Sequence, residues 1–216
     1  MKKITITYLI IILSISFFAV NSFAQNAPAE SRKSVNFGIK AGINYSNVYD
    51  SKGEQFNADG KIGAAAGIFA SIPIGKFLGF QPEILFSQKG FKATGSILGS
   101  GYSFTRTTNY LDIPLFLAIK PTSVLTLLVG PQYSYLMKQN DVFKNSVTSV
   151  DQQKVFNNDN IRKNTLCFVG GADVNLMKLV LSARAGWDIQ NNHGDGTSST
   201  PRYKNVWYQA TIGYRF

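Results

Sequence analysis

The chain of 216 residues has one cysteine and one histidine. A single thiol closes no internal disulfide, so a disulfide scaffold is excluded. One His with one Cys cannot supply the three or four ligands of a zinc site. No phosphate-binding loop, dinucleotide fingerprint or metal-binding repeat is present. Lysine and arginine outnumber aspartate and glutamate 22 to 12, for a net charge of +10, yet no basic cluster is longer than two residues. That pattern is a poor nucleic-acid footprint and fits dispersed solvated charge or affinity for acidic lipopolysaccharide. Past residue 24 there is also no apolar run long enough for a spanning helix. A membrane-resident form of the remaining chain has to be a closed β-barrel, because only helices and closed barrels satisfy every backbone group in lipid.

The N-terminus does have an apolar run. Lys2 and Lys3 precede Ile4 to Val20, and Ser22-Phe23-Ala24 places small residues where a signal peptidase reads them. The expectation is a secretory signal peptide over 1–24, cleaved after Ala24. A short periplasmic segment, 25–34, would follow, and then a barrel over 35–216. The sole cysteine, Cys167, lies far from that cleavage site, which argues against a lipoprotein.

Barrel strands in lipid alternate apolar residues outward with small or polar residues inward. Eight segments have that parity, with outward faces starting at Phe37, Ile62, Leu78, Leu111, Leu125, Leu166, Leu181 and Val206. They end at Tyr45, Ile72, Phe86, Ile119, Tyr135, Leu176, Ile189 and Phe216. The 44 positions on those faces include no charged residue. About seven charges would fall there by chance, given the composition of the chain after residue 24. The connections run roughly 15, 5, 20, 5, 30, 4 and 16 residues, alternating long and short throughout. Long extracellular loops and short periplasmic turns, with both termini periplasmic, have that rhythm. The fold expected is an all-β, eight-stranded antiparallel up-and-down transmembrane barrel in the outer membrane of a gram-negative bacterium.

The chain stops on Tyr214-Arg215-Phe216, with aromatics at alternate positions upstream. Phe80 to Gly90, Tyr110 to Leu115 and Gly130-Pro131, together with that end, resemble the PorT-like outer-membrane β-barrel family. The resemblance covers essentially all of the chain after the signal. It implies the barrel fold, outer-membrane location and Phe216 as a signal read by the outer-membrane assembly machinery, and says almost nothing of activity. Pro82, Pro114 and Pro131 inside strands run against the pattern, since each removes a ladder donor. Bulges are the expected way to absorb them.

Chemistry would have to lie on the inward face. Lys40, Glu83, Asp112, Asp173 and Arg184 point inward by parity, with Asp188 and Arg215 nearer the rims. An eight-stranded barrel is just wide enough to be filled by side chains, so these charges are expected to pair as a structural plug. Partner swapping by Arg184 and Lys40 would instead make a narrow gated channel for ions or small solutes. A lipid-modifying barrel enzyme needs a base beside a nucleophile. The only histidine, His193, sits in a Gly-, Ser- and Asn-rich loop that is a poor support for one. Cys167 faces inward and reads as inert packing. A lipocalin-like soluble barrel would have the opposite parity. No enzyme activity, cofactor or metal is expected. The reading is a structural or surface-interaction barrel acting through its loops, with lipid and lipopolysaccharide as its surroundings. On this parity Ile68→Arg or Leu115→Arg blocks insertion, whereas the same change at inward Ser134 is milder.

Overall fold

The computed structural model describes residues 34–50, 58–97, 100–145, 149–154, 162–192 and 203–216. The signal peptide expected over 1–24, residues 25–33 and His193 lie outside the described residues.

Nine strands form among the described residues: β1 Asn36–Asp50, β2 Ala58–Pro73, β3 Leu78–Ile97, β4 Ser100–Ile119, β5 Leu125–Asn145, β6 Ser149–Lys154, β7 Asn164–Leu176, β8 Leu179–Asp188 and β9 Tyr203–Arg215. Eight of them close a ring of antiparallel pairs in the order β1-β2-β3-β4-β5-β7-β8-β9, and β9 returns to β1 with Gly38 opposite Arg215. The result is a closed eight-stranded antiparallel β-barrel. β6 is an addition, pairing with the upper part of β5 from Gln139 to Lys144. No helix among the described residues is long and apolar enough to cross a membrane.

The interior is polar and the exterior apolar. None of the 44 outward positions is buried. Among the described residues the buried set holds 25 polar or charged side chains against 16 hydrophobic ones. Exposing Phe37, Ile39, Ile43, Ile68 and Ile212 to more than half of their surface makes sense only against hydrocarbon. The belt runs nine residues on β1, from Phe37 to Tyr45, the length a tilted strand needs to cross a bilayer. Aromatics rim it at both ends. Tyr45, paired with Tyr208, lies at one end with Tyr135 and Trp187, and Phe37, Phe77, Tyr214 and Phe216 lie at the other.

Three short turns sit at one end, between β2 and β3, β4 and β5, and β7 and β8. At the first, the Ile74 and Gly75 amides both donate to Leu78 O. At the second, Thr122 Oγ1 accepts from the Leu125 amide at 3.0 Å. At the third, Met177 takes the left-handed conformation, φ 53°.

The long connections depart from the sequence reading. β3 and β4 continue as a paired hairpin to Ile97 and Ser100, well beyond the lipid belt, so most of the expected 20-residue loop is strand. Part of the stretch between Asp141 and Lys163, within the connection of roughly 30 residues expected there, is β-structure that adds β6 to the sheet. A second apolar core, of Val48, Phe91 and Ala93 with Phe104 and Tyr203 against it, supports this extension. Gly90 makes the bend in β3, at φ 147°, where a Cβ would lie 2.0 Å from Arg106 O.

The expected bulges are not at the prolines. Pairing lapses for a few residues around Pro82 and Pro114 and resumes in the same register, Pro82 opposite Leu115 and then Leu85 opposite Asp112. A lost donor at each ring therefore costs a rung rather than a register. The bulges fall higher, between Gly60 and Ala65 and beside Asn109 and Tyr110.

Candidate functional site

The lumen is filled in layers. The deepest lies near the short-turn end, where Glu83 on β3 accepts four hydrogen bonds. Lys40 Nζ donates at 2.9 Å, Arg184 Nη1 and Nη2 at 2.6 and 2.8 Å, and Gln81 Nε2 at 2.9 Å. Arg184 Nη2 also reaches Asp173 Oδ1 at 3.4 Å, and Gln81 Nε2 gives Asp173 Oδ2 a contact of 3.0 Å. β3 and β8 stand opposite each other in the ring, so the fork-to-fork pair Arg184–Glu83 spans the full diameter of the lumen. Its guanidinium lies 4.6 Å over the Phe116 ring, and Lys40 Nζ lies 4.8 Å from Phe69. Two cations meet two carboxylates, and the layer is neutral.

Small inward residues make room for the large ones. The Phe69 ring occupies the space a side chain at Gly38 would take, and the Trp207 indole does the same at Gly186. Phe116, Ala118, Leu128, Cys167, Val169 and Trp207 form one apolar cluster that runs from the Arg184 layer, where Phe116 meets the guanidinium, to Trp207 nearer the loop end.

The next layer is a second, separate ion cluster. Asp112 does not join the first one. It pairs with Lys89 Nζ at 3.0 Å and accepts from Ser134 Oγ at 2.6 Å. Lys89 is sandwiched against Trp207, 3.6 Å from its ring, and Tyr110, 4.9 Å away. Cys167 does face inward, is fully buried in the apolar cluster, and is also hydrogen-bonded. Its thiol lies 3.2 Å from Asp188 Oδ1 and 3.4 Å from Ser134 Oγ. Asp188 also accepts from the Asn205 amide and side chain, at 2.9 and 2.6 Å. Hydroxyl, thiol and carboxylate thus touch, with no imidazole beside them among the described residues, and Ser134, Cys167, Asp112 and Asp188 are each at most 2% exposed. Among the described residues no three His, Cys, Asp or Glu side chains come together as a metal set.

Two functional side chains escaped the sequence reading. Lys89 lies three residues past Phe86, where the third strand was expected to stop, and continuing the parity would have turned it inward. Arg106 lies above the belt, in what reads as loop. Its Nε and Nη2 each donate to Asp141 at 2.8 Å, and Nη1 donates to Tyr203 Oη at 2.6 Å. The Phe104 ring is 5.3 Å from the guanidinium. Burial raises the Tyr203 hydroxyl above its ordinary range even with Arg106 beside it, so the phenol stays protonated there. Asp141→Asn is expected to loosen this extension by about 1.5–3 kcal/mol, the usual range for hydrogen bonds to a charged group. Limited proteolysis of the membrane-embedded protein reads it as faster cleavage in the β3–β4 and β5–β6 hairpins, with the belt left intact.

At the C-terminal end, the Phe216 amide donates to Phe37 O at 2.9 Å and its ring packs edge-on against Tyr214, with centroids 5.7 Å apart. Phe216 itself is 66% exposed on the lipid-facing side.

The barrel fold is similar to that of solved bacterial outer-membrane proteins. The attachment invasion locus protein Ail of Yersinia pestis, solved in complex with the heparin analogue sucrose octasulfate, is similar in fold at 14% identity and a TM-score of 0.50. That alignment takes in 85% of this chain and 99% of Ail. Neisserial surface protein A is 10% identical over 85% of this chain and 99% of its own, with a TM-score of 0.46. The outer membrane protein OprG of Pseudomonas aeruginosa is 13% identical over 85% of this chain and 96% of its own, with a TM-score of 0.39. No curated protein matches the sequence. Residues 23–194 match the outer membrane protein β-barrel domain, and the chain belongs to that family.

Proposed function

We propose that this protein is a non-enzymatic outer-membrane barrel whose lumen is sealed by its internal charge network and whose work is done at the extracellular surface. The observation that carries the reading is the Arg184–Glu83 pair across the full diameter, with Lys40, Gln81 and Asp173 bonded to it and the Phe116–Trp207 cluster packed beside it. Charges that satisfy one another leave no wet path for an ion and rigidify the wall. Surface work then falls to the strands and loops above the belt. In this reading the protein is exported by a signal peptide cleaved after Ala24, belongs to the PorT-like branch of its family, and is recognised during assembly through the exposed Phe216 ring. Phe216→Ser is then expected to lower its outer-membrane level in cells.

Lys92 and Lys138 are exposed just above the upper aromatic rim, at the height where lipopolysaccharide carries its phosphates. A polyanionic glycan suits that collar, and the heparin analogue seen on Ail is of the same chemical kind. The test of the sealed lumen is electrical. Purified protein in planar bilayers is expected to give no unitary conductance at neutral pH. Reproducible steps that Arg184→Met enlarges would replace the plug with a gate.

A further inference from the structure

The lumen is crossed a second time, above the lipid belt. In the ring of eight, β4 and β9 stand four places apart, so a bond between them spans the full width of the barrel. Arg106 on β4 makes that bond, donating from Nη1 to Tyr203 Oη on β9 at 2.6 Å. Its Nε and Nη2 are taken by Asp141 on β5, at 2.8 Å each. One planar fork thus divides its donors between the neighbouring strand and the opposite wall. The Tyr203 ring meets Phe91 of β3 edge-on, with centroids 5.4 Å apart, and Val48 on β1, Ala58 on β2 and Phe104 on β4 complete the packing. The chain leaving β8 is tied to the same residue. The Asn192 amide donates to Tyr203 O at 3.0 Å, and its side chain donates to Asp188 at 3.2 Å.

The layer underneath is different in kind. Register places Lys89, Thr108 and Gln139 in one inward row on β3, β4 and β5, two residues below Phe91, Arg106 and Asp141. Thr108 Oγ1 and Gln139 Oε1 are buried in that row without a hydrogen-bond partner among the described residues. They keep hydrogen-bonding capacity for solvent that reaches them. An aromatic and ion-paired mouth therefore covers a polar row, instead of topping one continuous apolar core.

We propose that Arg106 and Tyr203 form an extracellular latch that closes the barrel mouth over this row, separately from the Arg184–Glu83 plug. The two halves sit on different elements, the β3–β4 hairpin and the start of β9, and a neutral hydroxyl joins them. Parting them leaves Arg106 with Asp141, so no charge is stranded, and the mouth can open as a local event. The plug has no such break available, because every contact across it is made by an ion.

Cys167 is the reporter for the test. It is the sole thiol, fully buried, and lies opposite Gln132 of β5, well below Asp141. The full chain, refolded in an uncharged maltoside detergent, is labelled with methyl methanethiosulfonate, a small neutral thiol reagent, and followed by mass. Expected are slow labelling of the unmodified chain and a several-fold faster rate in Tyr203→Phe, which loses the hydroxyl and keeps the ring. Arg106→Lys keeps a cation for Asp141 but has no fork to reach Tyr203 as well, and a similar gain is expected. Proteolytic cleavage of the β3–β4 and β5–β6 hairpins is expected to stay at the unmodified rate in Tyr203→Phe. Unchanged labelling in both variants overturns the latch. So does a gain that comes only with faster hairpin cleavage, since that reports unravelling of the extension. Labelling of the folded, unmodified chain as fast as in urea overturns it too. If that same protein passes no current in planar bilayers, the latch fails and the plug stands.

Discussion

Replacing Glu83 with Gln is expected to cost the barrel on the order of 3–5 kcal/mol, the range for breaking a buried ion pair by removing one partner. Three cationic N–H contacts, from Lys40 and from both forks of Arg184, converge on this carboxylate. Without its charge, Lys40 and Arg184 are left with Asp173 alone, and that contact is 3.4 Å. Neither cation can reach water without dismantling its packing, since both side chains are at most 1% exposed. Urea unfolding of the protein refolded into vesicles measures the loss. Adding Arg184→Met to Glu83→Gln is expected to recover part of it, because a neutral pair removes the stranded charge. Unchanged stability in the single variant would mean that lumen water solvates both cations, and the dry plug would have to be abandoned.

The sequence carries the facing of each strand far better than its partners. Period-two alternation is a local property, so the eight outward faces are legible without knowing any neighbour. Pairing needs register, and register is set by turns and bulges that parity does not show. Asp112 illustrates the gap. By parity it belongs with Lys40 and Arg184, yet the register of β3 on β4 places it opposite Leu85, closer to Lys89.

Extent was the second blind spot. An apolar belt ends where lipid ends, but the strands do not. Past Leu136 the alternation of β5 flips, because Met137 is bulged out between Tyr110 opposite Leu136 and Asn109 opposite Lys138. Strict parity would turn Asp141 outward, whereas the bulge turns it in to meet Arg106. The prolines mislead in the other direction. They look incompatible with a closed sheet, but a ring of eight strands tolerates missing rungs when the register on both sides is held. Ser134, chosen as a mild inward position, is in fact 1% exposed and hydrogen-bonded to Asp112. An arginine there would meet Cys167, Gln132 and Asp112 with no space to enter, so it is no mild substitution. Inward means polar, and polar does not mean roomy.

The contrast that isolates lipid exposure is therefore one of depth along a single outward face. Leu115, on β4, is 44% exposed in the middle of the apolar belt. Leu115→Arg is expected to lower the stability of the folded barrel in a bilayer by about 2–4 kcal/mol, the cost of a lipid-facing arginine near the midplane. Ile68, 54% exposed on β2, is expected to behave alike. Asn109 has the same parity as Leu115, about 20 Å further along the strand. Its Oδ1 accepts from Gln88 at 3.1 Å above the belt. Asn109→Arg is expected to cost no more than about 1 kcal/mol, because the penalty fades towards the interface. Heat-modifiable gel mobility after refolding into vesicles of fixed thickness ranks the three variants. Equal folding of Leu115→Arg and Asn109→Arg would show that the belt does not face hydrocarbon. In a detergent micelle, which adapts around a charge, the gap between them is expected to narrow. That dependence on the host separates a lipid-facing position from one whose cost lies in protein packing.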